Sequence, residues 1–351
     1  MLWNVGATAY KPPMRRPARK SILAALAVLA VTAVAVAPEA QEGVRHFRIA
    51  TGPTAGTYFP IGALIAGIIS GPEGGPSCED GGGCGVPGLI AVAQATDGSV
   101  ANLAAIAEDR FHSALAQADV VHWAYSGEGP LAGQGENTAL RAIANLYPES
   151  IHLVARRGAG IATLADLKGR AVSLDTAGSG TRADAEIILA AFGLGIDDVR
   201  PIYASLDRAA DMMEAGEIDA LFFVGGYPAP GISALAAQDL ITLVPIDGPP
   251  AQALRESHPF FSTDRITSEA YPGVAGVDTL SVGAQWVVGA TEPEDLVYAI
   301  AAALWHPENR RLLDAGHAKA RLIRPETALS GITIPLHPGA ARYYGELGKT
   351  R

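Results

Sequence analysis

The sequence predicts an α/β protein of two domains, each built on mainly parallel strands covered by helices. Three observations carry this. Strand-like and helix-like segments alternate in the order strand, turn, helix, which is the order a parallel sheet requires. That order restarts near Ile151, so two units of similar plan share the chain. About 310 residues follow an amino-terminal leader, more than one hydrophobic core usually organises.

In the first unit, Phe47 to Thr51 (FRIAT) is a short β-type run followed by a Gly-rich turn. Tyr58, Ile61, Leu64, Ile65 and Ile68 then recur at helical spacing. A Gly/Pro-rich loop leads to a second strand over Leu89 to Gln94, and Ser99 caps a helix that runs through Ala107. In the second unit, IHLVARR from Ile151 reads as a strand, Thr163 to Lys168 as a short helix, and Ala171 to Leu174 as a strand. The turn DTAGSG leads into a helix over Ala183 to Phe192, with Ile187, Ile188 and Ala191 inward. Asp219 to Val224 (DALFFV) carries five apolar residues without alternation, as a strand buried on both faces does. A long helix from Glu294 to Trp305 follows Thr291 and Pro293.

The leader reads as an export signal. Residues 11 to 20 hold Lys11, Arg15, Arg16, Arg19 and Lys20 and no acid, and an uncharged apolar stretch follows from Ser21 to Ala37. A basic segment, a short apolar core and small residues (here Ala35-Val36-Ala37) are what export machinery recognises. The expected signal segment is therefore residues 1–37, and the expected compartment is the periplasm, with an uncleaved membrane anchor as the alternative. The whole chain has 26 basic and 36 acidic residues. Without the five basic residues of the leader the balance is 21 against 36, or −15. Such a charge gives no electrostatic reason to hold nucleic acid or an anionic membrane face.

The two cysteines, Cys78 and Cys84, lie in the loop GGPSCEDGGGCGVPG. In an oxidising compartment two such neighbours pair. A metal site is disfavoured because there is no second cysteine pair and no histidine close by in sequence. Catalytic signatures are missing too. The eight histidines are scattered, no G-x-S-x-G elbow occurs, and no Walker-type loop is present. The expectation is a protein that is not an enzyme and carries no cofactor and no metal.

Two turns do offer binding chemistry. TGPTAGTYFP places Gly56, Thr57 and Tyr58 at one helix entry, and TAGSGT places Ser179, Gly180 and Thr181 at another. Helix N-termini present free N–H groups and the positive end of the dipole, so they hold carboxylates or phosphates. Read singly, each turn is more simply an ordinary capped helix. The aromatics of HWAYSGEG (His122 to Gly129) could line a pocket or pack a helix on its sheet, and Arg182 could pair with a ligand carboxylate or face solvent.

Taken together, ATGPTAGTYFPIG (Ala50 to Gly62), GSVANL (Gly98 to Leu103), AQADVVHWAYSG (Ala116 to Gly127) and LADLKGRAVSLDTAGSGTRADAEIIL (Leu164 to Leu189) resemble the TAXI family of TRAP-transporter solute receptors. So do GEIDALFFVGGYPAP (Gly216 to Pro230) and PLHPGAARYYGELG (Pro335 to Gly348), and the matches run in order from about residue 47 to 348. The resemblance implies a type II periplasmic-binding-protein fold, with two α/β lobes, a hinge of two crossovers and a ligand cleft between them. It implies lobe I over 44–146 plus 277–351 and lobe II over 147–276. The implied function is capture of a small organic anion, a glutamate-like amino acid or a related organic acid, for the membrane subunits of a TRAP-type secondary transporter. The receptor of an ABC importer, of the phosphonate or thiamine-precursor kind, is the alternative on the same fold. Carried over by position, the cleft residues are Gly56, Thr57, Tyr58, Ser99, Asn102, Gln117, Ser179, Gly180 and Thr181, with Gly225 and Gly226 closing the far side. Phe111-His112-Ser113 and the cysteine loop depart from the family pattern and are expected near the cleft edge.

Overall fold

In the computed structural model, residues 44–349 are described apart from 73, 75–77 and 79–82. The expected signal segment lies outside the described residues. The first strand, β1 (Arg45–Ala50), feeds helix α1 (Tyr58–Ile69), which ends at the two-residue strand β2 (Ser70–Gly71). Tyr58, Ile61, Ile65 and Ile68 are buried at the helical spacing expected, while Leu64 is only half-buried. After the cysteine loop come β3 (Val86–Pro87), β4 (Leu89–Gln94), α2 (Ser99–Ala107), β5 (Ser113–Gln117) and α3 (Ala118–Ser126). Gly98, at φ 117°, caps α2, so Ser99 is its first residue and not the cap. Only a glycine takes that backbone conformation without strain.

Next comes a 17-residue strand, β6 (Leu140–Arg156). Sequence reading finds only its second half, because Pro148, Glu149 and Ser150 interrupt the apolar run like a break. Beyond it lie β7 (Ala171–Ser173), α4 (Gly180–Ala191), β8 (Arg200–Ile202), α5 (Leu206–Glu214) and β9 (Ala220–Gly225). The inward residues of α4 are Ile188 and Leu189; Ile187 is half-buried and Ala191 is exposed. The short helix read over Thr163 to Lys168 is a 3-10 turn, Leu164–Leu167, with a Thr163–Asp166 capping box. The chain continues through α6 (Pro230–Ala237), β10 (Ile241–Val244), α7 (Gly248–Ser257), β11 (Ser262–Ile266), β12 (Val277–Gly289), α8 (Glu294–Leu304), α9 (Arg310–Gly316) and α10 (Pro338–Glu346).

Ten strands form one sheet, with β4-β1-β5-β12-β6-β9-β7-β8 as its path and β10 and β11 paired to β6 and β12. Pairing is parallel at both ends (β4–β1–β5 and β9–β7–β8) and antiparallel through the two long central strands. The expectation of parallel strands holds for each unit and fails between them, where β6 and β12 cross. Their ladder runs from Leu140 opposite Gly289 to Ser150 opposite Ser281, with register shifts at Ala284/Gln285 and Trp286/Val287.

Both faces of the sheet are covered. Along β9, Ala220, Phe222 and Val224 enter one core cluster with Ile188 and Leu254, while Leu221 and Phe223 enter another with Leu206 and Ile232. Along β12, Trp286 and Val288 pack with α1, α8 and α10, and Val287 packs with α2 and α3 on the opposite side. Side chains alternate across a strand, so a strand sandwiched between helices is apolar throughout. That accounts for the unbroken run DALFFV.

Cys78 and Cys84 are disulfide-bonded, with Cα atoms 4.6 Å apart. One premise of that expectation needs correcting: a histidine is close in space, since His306 Nε2 lies 4.0 Å from Cys78 Sγ. The chain fold brings the end of α8 to the loop, which sequence distance does not show. Closing so short a loop is worth about 2 kcal/mol by the loop-entropy relation. Guanidinium unfolding of oxidised against reduced and alkylated protein is expected to differ by that amount, and coincident curves would show the bond to be energetically idle. Among the described residues no helix is long and apolar enough to cross a membrane.

Candidate functional site

The ends of β1, β5, β7 and β9 converge on the entries of α1, α2 and α4, and a partly open cavity of about 30 Å³ lies there, the room of roughly one water. From the first unit, Thr57 and Tyr58 open α1, Ser99 opens α2 and Gln117 ends β5. From the second, Ser179 caps α4, followed by Gly180 and Thr181, and Gly225 ends β9. Each of these residues and Gly56 lines the cavity. The entry of α2 touches the turn before α4 directly: Ala101 N–H donates to Gly178 O at 3.0 Å.

The hydroxyls are occupied in building this arrangement. Thr57 Oγ1 donates to Gly226 O at 2.7 Å, and Tyr58 OH donates to Glu149 Oε2 at 2.6 Å. Ser99 Oγ accepts from Gln117 N at 3.1 Å. Ser179 Oγ accepts from Thr181 N at 3.1 Å and donates to Asp175 Oδ2 at 2.9 Å. Thr181 Oγ1 accepts from Val224 N at 3.0 Å, which ties the entry of α4 to β9. The turn is therefore held by its hydroxyls as well as its glycines, and losing an N-cap such as Ser179 costs about 1 kcal/mol.

Two expected residues stand apart. Asn102 does not line the cavity: its Nδ2 donates to Thr51 O and Leu115 O, at 2.6 and 2.7 Å, and its Oδ1 accepts from Thr96 Oγ1. That buried amide cross-braces β1, β5 and α2. Gly226 sits just behind the wall, where an added Cβ would meet Lys319 Cγ at 2.7 Å and Thr57 Cγ2 at 2.8 Å. Arg182 faces away, stacked on Tyr203 and paired with Glu186 at 2.9 Å. His122 and Trp123 pack against Phe260. His112 is not at the cleft edge either. Its Nδ1 accepts from Arg48 N and its ring stacks on Phe47, at the opposite end of β5 from Gln117. The cysteine loop follows the far end of the 12-residue helix α1, about 18 Å from Thr57 at 1.5 Å per residue.

The cavity also holds three carboxyl groups that motif reading passes over: Asp97, Glu149 and Asp175. Among the described residues lining it there is no lysine, arginine or histidine. Asp97 and Asp175 belong to the turns TDGSV and DTAGSG, so the signal was an acid beside each glycine turn. Glu149 is a lone acid inside an apolar strand. Burial pushes the Glu149 carboxyl up to about 8, with the charge of Asp119 adding to this, while the Tyr58 hydrogen bond and the Lys319 charge pull it down. Burial likewise raises Asp175 to about 6, against hydrogen bonds from Thr176 N–H and Ser179. A cation placed in the cavity would favour the ionised form of both.

Residues 49–348 match the model of the NMT1-like family. Among solved structures, a periplasmic transporter aligns with a TM-score of 0.50 at 16% identity, covering 78% of this chain and 90% of that one. A protein from Bordetella bronchiseptica RB50 gives 0.49 at 17%, covering 86% and 88%. The alkanesulfonate-binding protein SsuA from Xanthomonas axonopodis pv. citri gives 0.43 at 15%, covering 77% of each chain. The fold is mixed α/β and two-lobed, as in periplasmic binding proteins.

Proposed function

Since the chain belongs to the NMT1-like family, we propose that it is an exported solute receptor and not an enzyme, which closes its cleft on a small molecule and passes it to a membrane transporter. One observation carries the choice of ligand: a cavity between two helix entries that is lined by Asp97, Glu149 and Asp175 and by no basic residue. The entry of α4 suits a carboxylate. Once ionised, these acids would repel a plain organic anion and suit an ammonium group. An amino acid carries both groups, so within the expected ligand class it is favoured over an organic acid, and the cleft must stand wider around it than the one-water space seen here.

The proposed lobes, 44–146 with 277–351 and 147–276, are supported by the separate core clusters on the two ends of the sheet. Leu280 and Val282 nonetheless pack with the second unit. The crossing of β6 and β12 near Pro148 and Gly283 is then the hinge.

For the transporter, the match to the NMT1-like family favours the receptor of an ABC importer. The TAXI-like motif strings support a TRAP-type partner as the second reading. Uptake by vesicles holding the membrane subunits separates the two, since ATP drives the first and an ion gradient the second. A thermal-shift screen followed by titration calorimetry tests the ligand. Amino acids are expected to bind and their deaminated oxo acids and dicarboxylates to bind at least tenfold more weakly, the loss of one ion-pair contact. Equal affinity for both series would overturn the ammonium assignment.

A further inference from the structure

Behind the cavity, three buried polar side chains meet between the two ends of the sheet. Gln117 and Asp119 flank the junction of β5 and α3, and Asp184 projects from the first turns of α4. Asp119 and Asp184 are fully buried and Gln117 nearly so. Gln117 Nε2 donates to Asp184 Oδ2 at 2.6 Å, and Asp119 Oδ1 accepts from Val120 N at 2.8 Å. The two carboxyls face one another, each acting on the other's charge. Buried Asp119 Oδ2 and Asp184 Oδ1 have no hydrogen-bond partner.

Ionised carboxylates only accept hydrogen bonds, so two of them bond to each other only through a proton. Their surroundings offer no counter-charge. On β6, Glu149 adds further negative charge at Asp184. Arg182 and Glu186 on α4 pair with each other, and His122 on α3 faces Glu128 at 3.8 Å. Arg255 and Glu256 on α7 and Asp197 and Asp198 before β8 are the remaining charged groups on elements packed against α4; none of them bonds to the pair.

We propose that Asp119 and Asp184 share one proton while the cleft is closed and release it when the cleft opens, so that closing takes up a proton. The contact joins α3 of one unit to α4 of the other. Opening therefore separates the carboxyls into water, where each ionises near its ordinary value of 3.8. By linkage, a state that binds one extra proton loses population roughly tenfold per pH unit between the ordinary carboxyl range and the shared group's raised pKa, and no further above it. The receptor thus closes more readily in acid. This inference rests on the solute-receptor reading for its opening motion.

The test needs no ligand. Spin labels on exposed α2 and α5 positions report the opening distance by pulsed EPR between pH 5 and 9, and infrared difference spectra report a protonated carboxyl. The closed fraction is expected to fall as pH rises, and the carboxyl band to disappear with it. In Asp184→Asn, whose oxygen can accept from Gln117 while its amide donates to Asp119, closure is expected to become pH-independent. Asp119→Asn repeats the test should the first variant fold poorly by circular dichroism. A wild-type protein that opens equally at every pH overturns the shared proton alone, as does an Asn variant with the same pH response. A chain that never opens overturns the receptor reading together with it.

Discussion

Gly180→Val is expected to weaken ligand binding about a hundredfold while leaving the fold intact. A Cβ at Gly180 would lie 2.1 Å from Gln117 Oε1, 2.6 Å from Gln117 Cδ and 3.0 Å from Val120 Cγ2. A free glutamine tip could swing aside, but this one is pinned by its hydrogen bond to Asp184 and sealed from water. The clash exists only when α4 lies against β5 and α3. It penalises the closed state and leaves the open one alone. Overpacking of this kind costs up to about 3 kcal/mol, and a ligand that binds the closed state loses affinity by that same amount, roughly a hundredfold. Titration calorimetry with the best amino acid from the screen reads the loss, and circular dichroism checks the fold. Gly67→Ala is the control, because a Cβ at Gly67, on the exposed side of α1, meets nothing within 4 Å. Unchanged affinity in the Gly180 variant would mean that the entry of α4 does not approach β5 in the bound form.

How far the sequence leads depends on the kind of signal. The strand–turn–helix order and the run DALFFV point correctly to two sandwiched α/β units, because burial on both faces erases alternation in a way composition displays. Both helix entries are legible for a similar reason: Gly and hydroxyl residues before an apolar helix have few other uses. What stays hidden is pairing at long range. Nothing local says that Leu140 to Arg156 is one strand, since its middle carries a proline and a glutamate that earn their place only opposite Gly283 and beside Tyr58. Asn102 shows the limit of motif transfer. It sits in a string shared with a receptor family and spends its whole amide on Thr51, Leu115 and Thr96. The resemblance also directs attention to donors for an anion, and so past the three acids that line the same cavity.

Of those acids, Glu149 combines burial with the largest upward shift, and Glu149→Gln is expected to strengthen the fold while weakening binding. The sign follows from proton counts. Folded Glu149 holds its proton up to about 8, whereas the unfolded chain releases it near 4.5. Between those values the folded state binds more protons, so stability is fully present below pH 4.5 and falls as pH rises, by about 1.4 kcal/mol per unit. Glutamine keeps the hydrogen-bonding shape toward Tyr58 and removes this slope, so the variant is expected to unfold later in urea at pH 7 than the wild type and to match it near pH 4.5. Binding should move the opposite way. An ammonium group displaces the proton and pairs with the carboxylate, so wild-type affinity is expected to rise with pH up to about 8, where ionisation is complete. Below the raised pKa of the Asp119–Asp184 pair, its shared proton works against this rise, because each unit of rising pH disfavours closure there. The two linkages oppose each other, so the rise of affinity with pH is expected to steepen in Asp184→Asn and to turn into a fall in Glu149→Gln. Calorimetric titrations across pH 5 to 9 on the three proteins separate the contributions. An affinity in Glu149→Gln that equals the wild type at pH 8 would take Glu149 out of the ligand's reach and leave its raised pKa a property of the fold alone.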